Sequence, residues 1–174
     1  MLGLGLTNLL MGLARIVQMR DRVKLYWPTV TWAFVLLLVH VQTWWSMFGL
    51  RTFAPWTFQA FAIVLLQPIL LFFLSALIMP DFDRDEALDL RANYYAQTRW
   101  FFGILLALVL VSLVRTVVIA GRLPYGEDFA FHLAFIVAGV GGIVFKNELY
   151  HKLLAPLAVV VYALYIGLLF TSLR

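Results

Sequence analysis

The chain contains no cysteine, which excludes both a disulfide framework and a thiolate metal site. Charge is scarce, since Asp, Glu, Lys and Arg make up 13% of the residues. A soluble domain of this length needs far more polar surface to hydrate its exterior, so a soluble globular fold is excluded. The lysines are Lys24, Lys146 and Lys152, each at the edge of an apolar run. A retinal Schiff base needs a lysine deep in a span, so an opsin is excluded as well. No serine-based elbow, Ser-Lys dyad, HExxH helix or phosphate-cradling glycine loop occurs in the sequence. Met1 runs straight into Leu2-Gly3-Leu4-Gly5-Leu6, without a basic leader or cleavage site, so no secretory signal is expected.

What is present is apolar. Hydrophobic residues form 64% of the 174 residues, and the mean hydropathy is +0.94. A spanning helix needs roughly 20 apolar residues to cross about 30 Å of hydrocarbon. Runs of that kind cover residues 27–50, 55–79, 100–120, 129–145 and 153–173. The first of these carries Trp27 at one end and Trp44, Trp45 and Phe48 at the other, as two membrane interfaces favour. A shorter stretch, residues 2–17, holds Thr7, Asn8 and Arg15, with Thr7, Ala14 and Gln18 near one face. It spans if Arg15 snorkels to the interface, or lies along the surface as an amphipathic helix. The expected fold is therefore all-α, a single polytopic transmembrane helical bundle over residues 1–174. Six spans are expected, or five if the first segment is interfacial.

The net charge of +4 does not point to nucleic acid, because the basic residues sit between apolar runs rather than in a patch. With six spans, one side collects Arg15, Arg20, Arg22, Lys24, Arg84, Arg91, Arg99, Lys146 and Lys152. The other side holds Arg51, Arg115, Arg122 and Arg174. The richer side is expected to be cytoplasmic, which places both termini outside, in the periplasm of a bacterial inner membrane. Residues 80–99 form a cytoplasmic connection that opens a helix, with Asp83 as N-cap and Asp85 and Glu86 near the positive end of its dipole. Leu88, Tyr95 and Phe102 recur at helical spacing, so this helix is expected to continue into the fourth span.

Polar residues at membrane depth are costly and usually face a bundle interior or a water-filled cavity. A layer of them is expected in the outer half of the bilayer: His40 and Thr43, with Gln42 between them, then Gln59, Ser112, Arg115 and His132. They suggest a pocket, or one end of a proton or anion path. Ordinary interhelical hydrogen bonding accounts for them equally, at roughly 0.6 to 2 kcal/mol each. Gln67 joins the set because it is expected to share a face with Gln59 and Ile63, and Pro68 beside it frees a backbone carbonyl near Val64 at mid-span. Transporters use broken helices at that depth.

Other constellations fail on their chemistry. The acids Asp81, Asp83, Asp85 and Asp89 imitate an EF-hand loop, but Glu86 stands where its glycine is needed and Ala92 where its bidentate glutamate is needed. His40 and His132 are conceivable haem ligands, yet they satisfy other polar groups as readily, and no cofactor is expected. Glu148 and His151 make one Glu-x-x-His, where di-iron bundles need two. Ala138 and Gly142 make a small-xxx-small pattern that lets helices approach closely.

The segments WPTVTWAFVLLLVHVQTWWSMFGLR, LIMPDFDRDEALDLRANYYAQTRWFF and DFAFHLAFIVAGV resemble an uncharacterised family of small polytopic inner-membrane proteins of Proteobacteria. The resemblance implies a bacterial location and brings no activity, cofactor or site residue. The expected role is a non-enzymatic channel, transporter-like bundle or sensor embedded in lipid. The alternatives are an accessory subunit of a larger membrane complex and, further behind, a haem-binding or other membrane enzyme. Homo-oligomerisation is plausible for a bundle this small.

Overall fold

The computed structural model describes residues 1–53, 56–80 and 88–169. Among these residues are six α-helices: α1 Leu2–Gln18, α2 Trp27–Phe48, α3 Phe58–Ile78, α4 Leu90–Ala120, α5 Glu127–Val144 and α6 Glu148–Leu169. Two short strands, β1 Val23–Lys24 and β2 Leu88–Asp89, pair in parallel with Val23 opposite Leu88. They mark one end of the bundle, called here the sheet end.

The helix boundaries follow local chemistry. Pro28 sits in the first turn of α2, where its missing N–H costs nothing. Thr57 caps α3 by accepting from the Ala60 amide at 3.2 Å. Asp89 caps α4, its carboxylate accepting from the Arg91 and Ala92 amides, each at 3.0 Å. The expected cap, Asp83, lies outside the described residues, as do Asp81, Asp85 and Glu86. Leu88 belongs to β2 rather than to the helix. α4 stops at Gly121, whose φ of 68° is a left-handed value that suits glycine. Its 31 residues rise about 46 Å, well beyond the hydrocarbon thickness of about 30 Å. α4 is therefore about ten residues longer than one crossing needs, and its sheet-end stretch, residues 90–99, carries Arg91 and Arg99. That extension is held to its surroundings by Arg91–Glu148 at 2.7 Å and Lys24–Asp89 at 3.6 Å.

Helices α2, α3, α4, α5 and α6 pack in a ring, each against its neighbours, and α6 closes back on α2. Trp32 of α2 anchors the sheet-end half of this ring, edge-on to Phe101 and Phe102 of α4 at 5.3 and 5.4 Å. Two glycines of α5 face α4: a Cβ at Gly142 would lie 2.5 Å from the Phe102 ring, and one at Gly139 would lie 2.7 Å from Leu106, whereas Gly141 lies against Tyr150 of α6. The close approach expected of Ala138 and Gly142 is thus made by Gly139 and Gly142, within the bundle.

α1 stands outside the ring and packs on α2 and α3. Its stripe Gly5, Leu9, Gly12 and Ile16 is buried, while Thr7, Ala14 and Gln18 face outward. Gly12 lies against Met79, and Gly5 against His40 and Ser75, so α1 runs beside the last turns of α3 rather than its whole length. Five helices, α2 to α6, are long and apolar enough to cross a membrane, and α1 is shorter. That is the five of the alternative reading, although α1 is packed into the bundle rather than laid on a surface. The chain is an integral membrane protein of all-α, helical-bundle architecture.

Candidate functional site

The five-helix ring encloses a cavity of about 240 Å³. Its lining changes character along the bundle axis, and does so on four separate helices. On α2, Trp32 and Val39 give way to Gln42 and Thr43; on α4, Leu105, Leu108 and Val109 give way to Ser112, Arg115 and Thr116. α5 and α6 repeat the order from their own ends. Phe135 and Ala138 lie on the sheet side of His132 and Asp128, while Leu154, Leu157 and Ala158 lie on the sheet side of Tyr162 and Tyr165. From Leu154 to Tyr165 the cavity runs about 16 Å along α6. One half is apolar and the other, away from the sheet end, is polar.

In the polar half, Arg115 donates through Nη1 to Gln67 Oε1 at 2.7 Å and to Ser46 Oγ at 3.1 Å. Ser46 is fixed in turn by donating to the Thr43 carbonyl at 3.1 Å. Among the described residues no carboxylate lies within ion-pair distance of Arg115. Across the cavity, His132 Nδ1 donates to the Asp128 carbonyl at 2.8 Å and faces its Oδ1 at 3.2 Å. His132 Nε2 meets Ser112 Oγ at 3.1 Å. Tyr165 donates to Asp128 Oδ1 at 3.5 Å, and Tyr162 to Gln42 Oε1 at 3.2 Å. The Asp128 side chain is 32% exposed, so the polar end of the cavity reaches the bundle surface.

Of the residues singled out in the sequence, Thr43, Gln67, Ser112, Arg115 and His132 line this cavity. His40 and Gln59 do not. His40 is buried beside Gly5 of α1 and donates from Nδ1 to the Leu36 carbonyl at 2.7 Å. Its Nε2 has no hydrogen-bond partner among the described residues and lies on the α1 side of α2 rather than in the cavity lining. Gln59 is exposed in the first turn of α3. Eight residues separate it from Gln67, which turns the two about 80° apart around the helix. α3 itself runs unbroken through Pro68, so it is not a discontinuous helix.

Ser46, Asp128, Tyr162 and Tyr165 belong to the site without having been singled out. Asp128 and His132 are four apart on one helix, a spacing that the sequence displays openly. The tyrosines carry no such signal, because aromatic residues are common throughout this chain.

A second polar cluster lies at the sheet end. His151, fully buried, donates from Nε2 to the Phe145 carbonyl at 2.8 Å and accepts at Nδ1 from the Tyr94 hydroxyl at 3.0 Å. The Tyr26 and Tyr95 hydroxyls meet at 3.2 Å, and burial followed by this bond pushes the Tyr26 phenol pKa up. The Glu-x-x-His pair sits in the first turn of α6, where Glu148 bonds Arg91 and Lys152. Both ring nitrogens of His151 are committed, so this cluster fastens α4 to α6. Among the described residues no group of three or more His, Cys, Asp or Glu side chains stands ready to hold a metal ion.

No family model, curated protein or solved structure matches this chain.

Proposed function

We propose that this membrane protein binds a small anionic amphiphile in its five-helix cavity, as the ligand site of a transporter-like or sensor bundle in a bacterial inner membrane. The observation that carries this reading is the axial division of the lining: apolar on the sheet side of four helices, polar on the other. A ligand with a charged head and a short apolar tail complements both halves. Arg115 supplies the head contact: Gln67 and Ser46 use one of its nitrogens, and no carboxylate among the described residues pairs with it directly, Asp128 attracting it only from beyond ion-pair distance. The volume, about 240 Å³, lies below the range of about 300 to 1,000 Å³ usual for drug-sized ligands, which limits the occupant to a small molecule. An ion channel fits less well, because one half of the cavity offers, apart from the Trp32 indole N–H, only apolar side chains where a hydration shell would have to be replaced.

Equilibrium dialysis of radiolabelled octanoate against the detergent-solubilised chain tests this. One saturable site per chain is expected, with octanol binding at least about tenfold more weakly because it brings no charge to Arg115. Equal binding of octanoate and octanol, or no saturable site, overturns the reading.

A further inference from the structure

The cavity holds a second arrangement, a hydrogen-bonded line built from residues other than Arg115. Asp128, His132 and Ser112 form one hydrogen-bonded line across the contact between α5 and α4. His132 Nδ1 faces two acceptors of Asp128, the carbonyl at 2.8 Å and the carboxylate at 3.2 Å, so that nitrogen carries the proton of the neutral ring. Nε2 is then bare and can only accept. Its partner at 3.1 Å is Ser112 Oγ, which makes the serine hydroxyl the donor.

A serine or threonine inside a helix commonly turns its hydroxyl back to the carbonyl four residues earlier. Ser75 does so to Leu71, and Thr116 does so to Ser112 itself. Ser112 instead directs its proton at an imidazole that a carboxylate holds in one tautomer. That order of donors is what a nucleophilic serine requires: a base on its proton, and an orienting group behind the base. Ser112 and Arg115 both line the cavity and, three residues apart on α4, share one face. A guanidinium there is placed to balance negative charge arising beside Ser112.

We propose that Asp128, His132 and Ser112 are a nucleophilic relay that cleaves an ester of a short apolar acid bound in the cavity. The substrate class rests on the amphiphile reading above; the relay geometry does not. In the first step Ser112 Oγ bonds to the ester carbonyl carbon as its proton passes to His132 Nε2. Arg115 balances the charge that develops on the carbonyl oxygen. The bond to the alcohol then breaks, and the alcohol leaves with the proton from His132. Water attacks the acyl-serine by the same route, giving up one proton to His132, which returns it to Ser112 as the acid departs. Ester and water become alcohol and acid, and no oxidant or reductant is consumed. The acid is released as a carboxylate, the head group that Arg115 suits.

The test is reaction of the full-length solubilised chain with an alkyl fluorophosphonate, where serine attack on phosphorus expels fluoride and needs no water. One adduct per chain is expected, located by peptide mass spectrometry on Ser112, and slowed by excess octanoate. Ser112→Ala should remove it, with a thermal unfolding midpoint like the parent's to show that the variant folds. His132→Gln should slow labelling on the order of 100-fold. The relay is overturned if a parent chain that binds octanoate takes no label, if the adduct persists in Ser112→Ala, or if His132→Gln reacts at the parent rate. Labelling of Ser112 in a chain that fails to bind octanoate supports the relay and overturns the amphiphile reading alone.

Discussion

Replacing Arg115 with methionine separates a binding role from a structural one. The guanidinium donates to Gln67 at 2.7 Å and Ser46 at 3.1 Å, and charge-assisted bonds of this kind contribute about 1.5 to 3 kcal/mol each. Against this, an arginine within a membrane span costs about 2.5 to 3.5 kcal/mol at the bilayer centre. Methionine keeps much of the length and removes the charge, but leaves Gln67 Oε1 unpartnered at about 1 to 3 kcal/mol. The unpartnered oxygen is already part of the loss of the two bonds, about 3 to 6 kcal/mol, and the relieved charge offsets most of it, so the ligand-free variant should be at most about 3.5 kcal/mol less stable than the parent. At about 2 to 4 °C per kcal/mol for a chain of this size, its midpoint moves by less than about 14 °C. The ligand increment behaves differently. Octanoate at one hundred times its dissociation constant should raise the parent by about 2.7 kcal/mol, and that rise should vanish in Arg115→Met. Adding Gln67→Leu should recover ligand-free stability without recovering the increment, because removing both partners of a bond is nearly neutral. Thermal unfolding followed by tryptophan fluorescence, with and without octanoate, reads all of these quantities. A full octanoate increment in Arg115→Met refutes the reasoning, and so does a ligand-free loss above about 4 kcal/mol, which would make Arg115 a structural tie.

Gly142→Ala sets a methyl 2.5 Å from the Phe102 ring and should destabilise the bundle by about 1 to 3 kcal/mol through overpacking of α5 on α4, measurable by urea unfolding in detergent. Tyr94→Phe removes the donor to His151 Nδ1 and should cost about 1 to 3 kcal/mol by leaving a buried acceptor unpaired; the same titration checks it, and a neutral result would show that water replaces the hydroxyl. At the sheet end, the Ala92 amide is the largest influence holding Asp89 below its ordinary pKa, with Lys24 assisting. A depressed carboxylate contributes stability above its unfolded pKa of about 3.9 and loses it as pH falls through the lower folded value. Hydrogen exchange at Arg91 and Ala92 should therefore quicken below about pH 4 relative to neighbouring amides, and Asp89→Asn should remove that pH dependence.

Hydropathy carried the helices, because every spanning segment must satisfy its backbone internally and expose apolar side chains to lipid. Boundaries moved where the deciding chemistry was local. Asp89, nearer the span than Asp83, is the acid that caps α4, and α4 then runs without a break through residues 90–99. The site was legible in depth but not in direction. His40 and Thr43 lie one turn apart on α2, yet His40 faces α1 while Thr43 faces the cavity. Residue spacing measures distance along a helix, and α2 is buried over a wide arc, so its pattern cannot say which neighbour each residue meets. Gln59 fell out for the related reason that its turn of α3 lies at the exposed end. The relay stayed hidden because Ser112 and His132 are 20 residues apart on different helices. Only the packing of α5 on α4, made close by Gly139 and Gly142, brings them together.

The most direct test of the ligand cavity is native mass spectrometry of the chain extracted gently from its own membrane. The account predicts a small acidic amphiphile retained at one per chain in the parent, and its absence from Arg115→Met. A parent that carries no small molecule, or one recovered only in a stable mass with other chains, contradicts it and makes the bundle an accessory subunit.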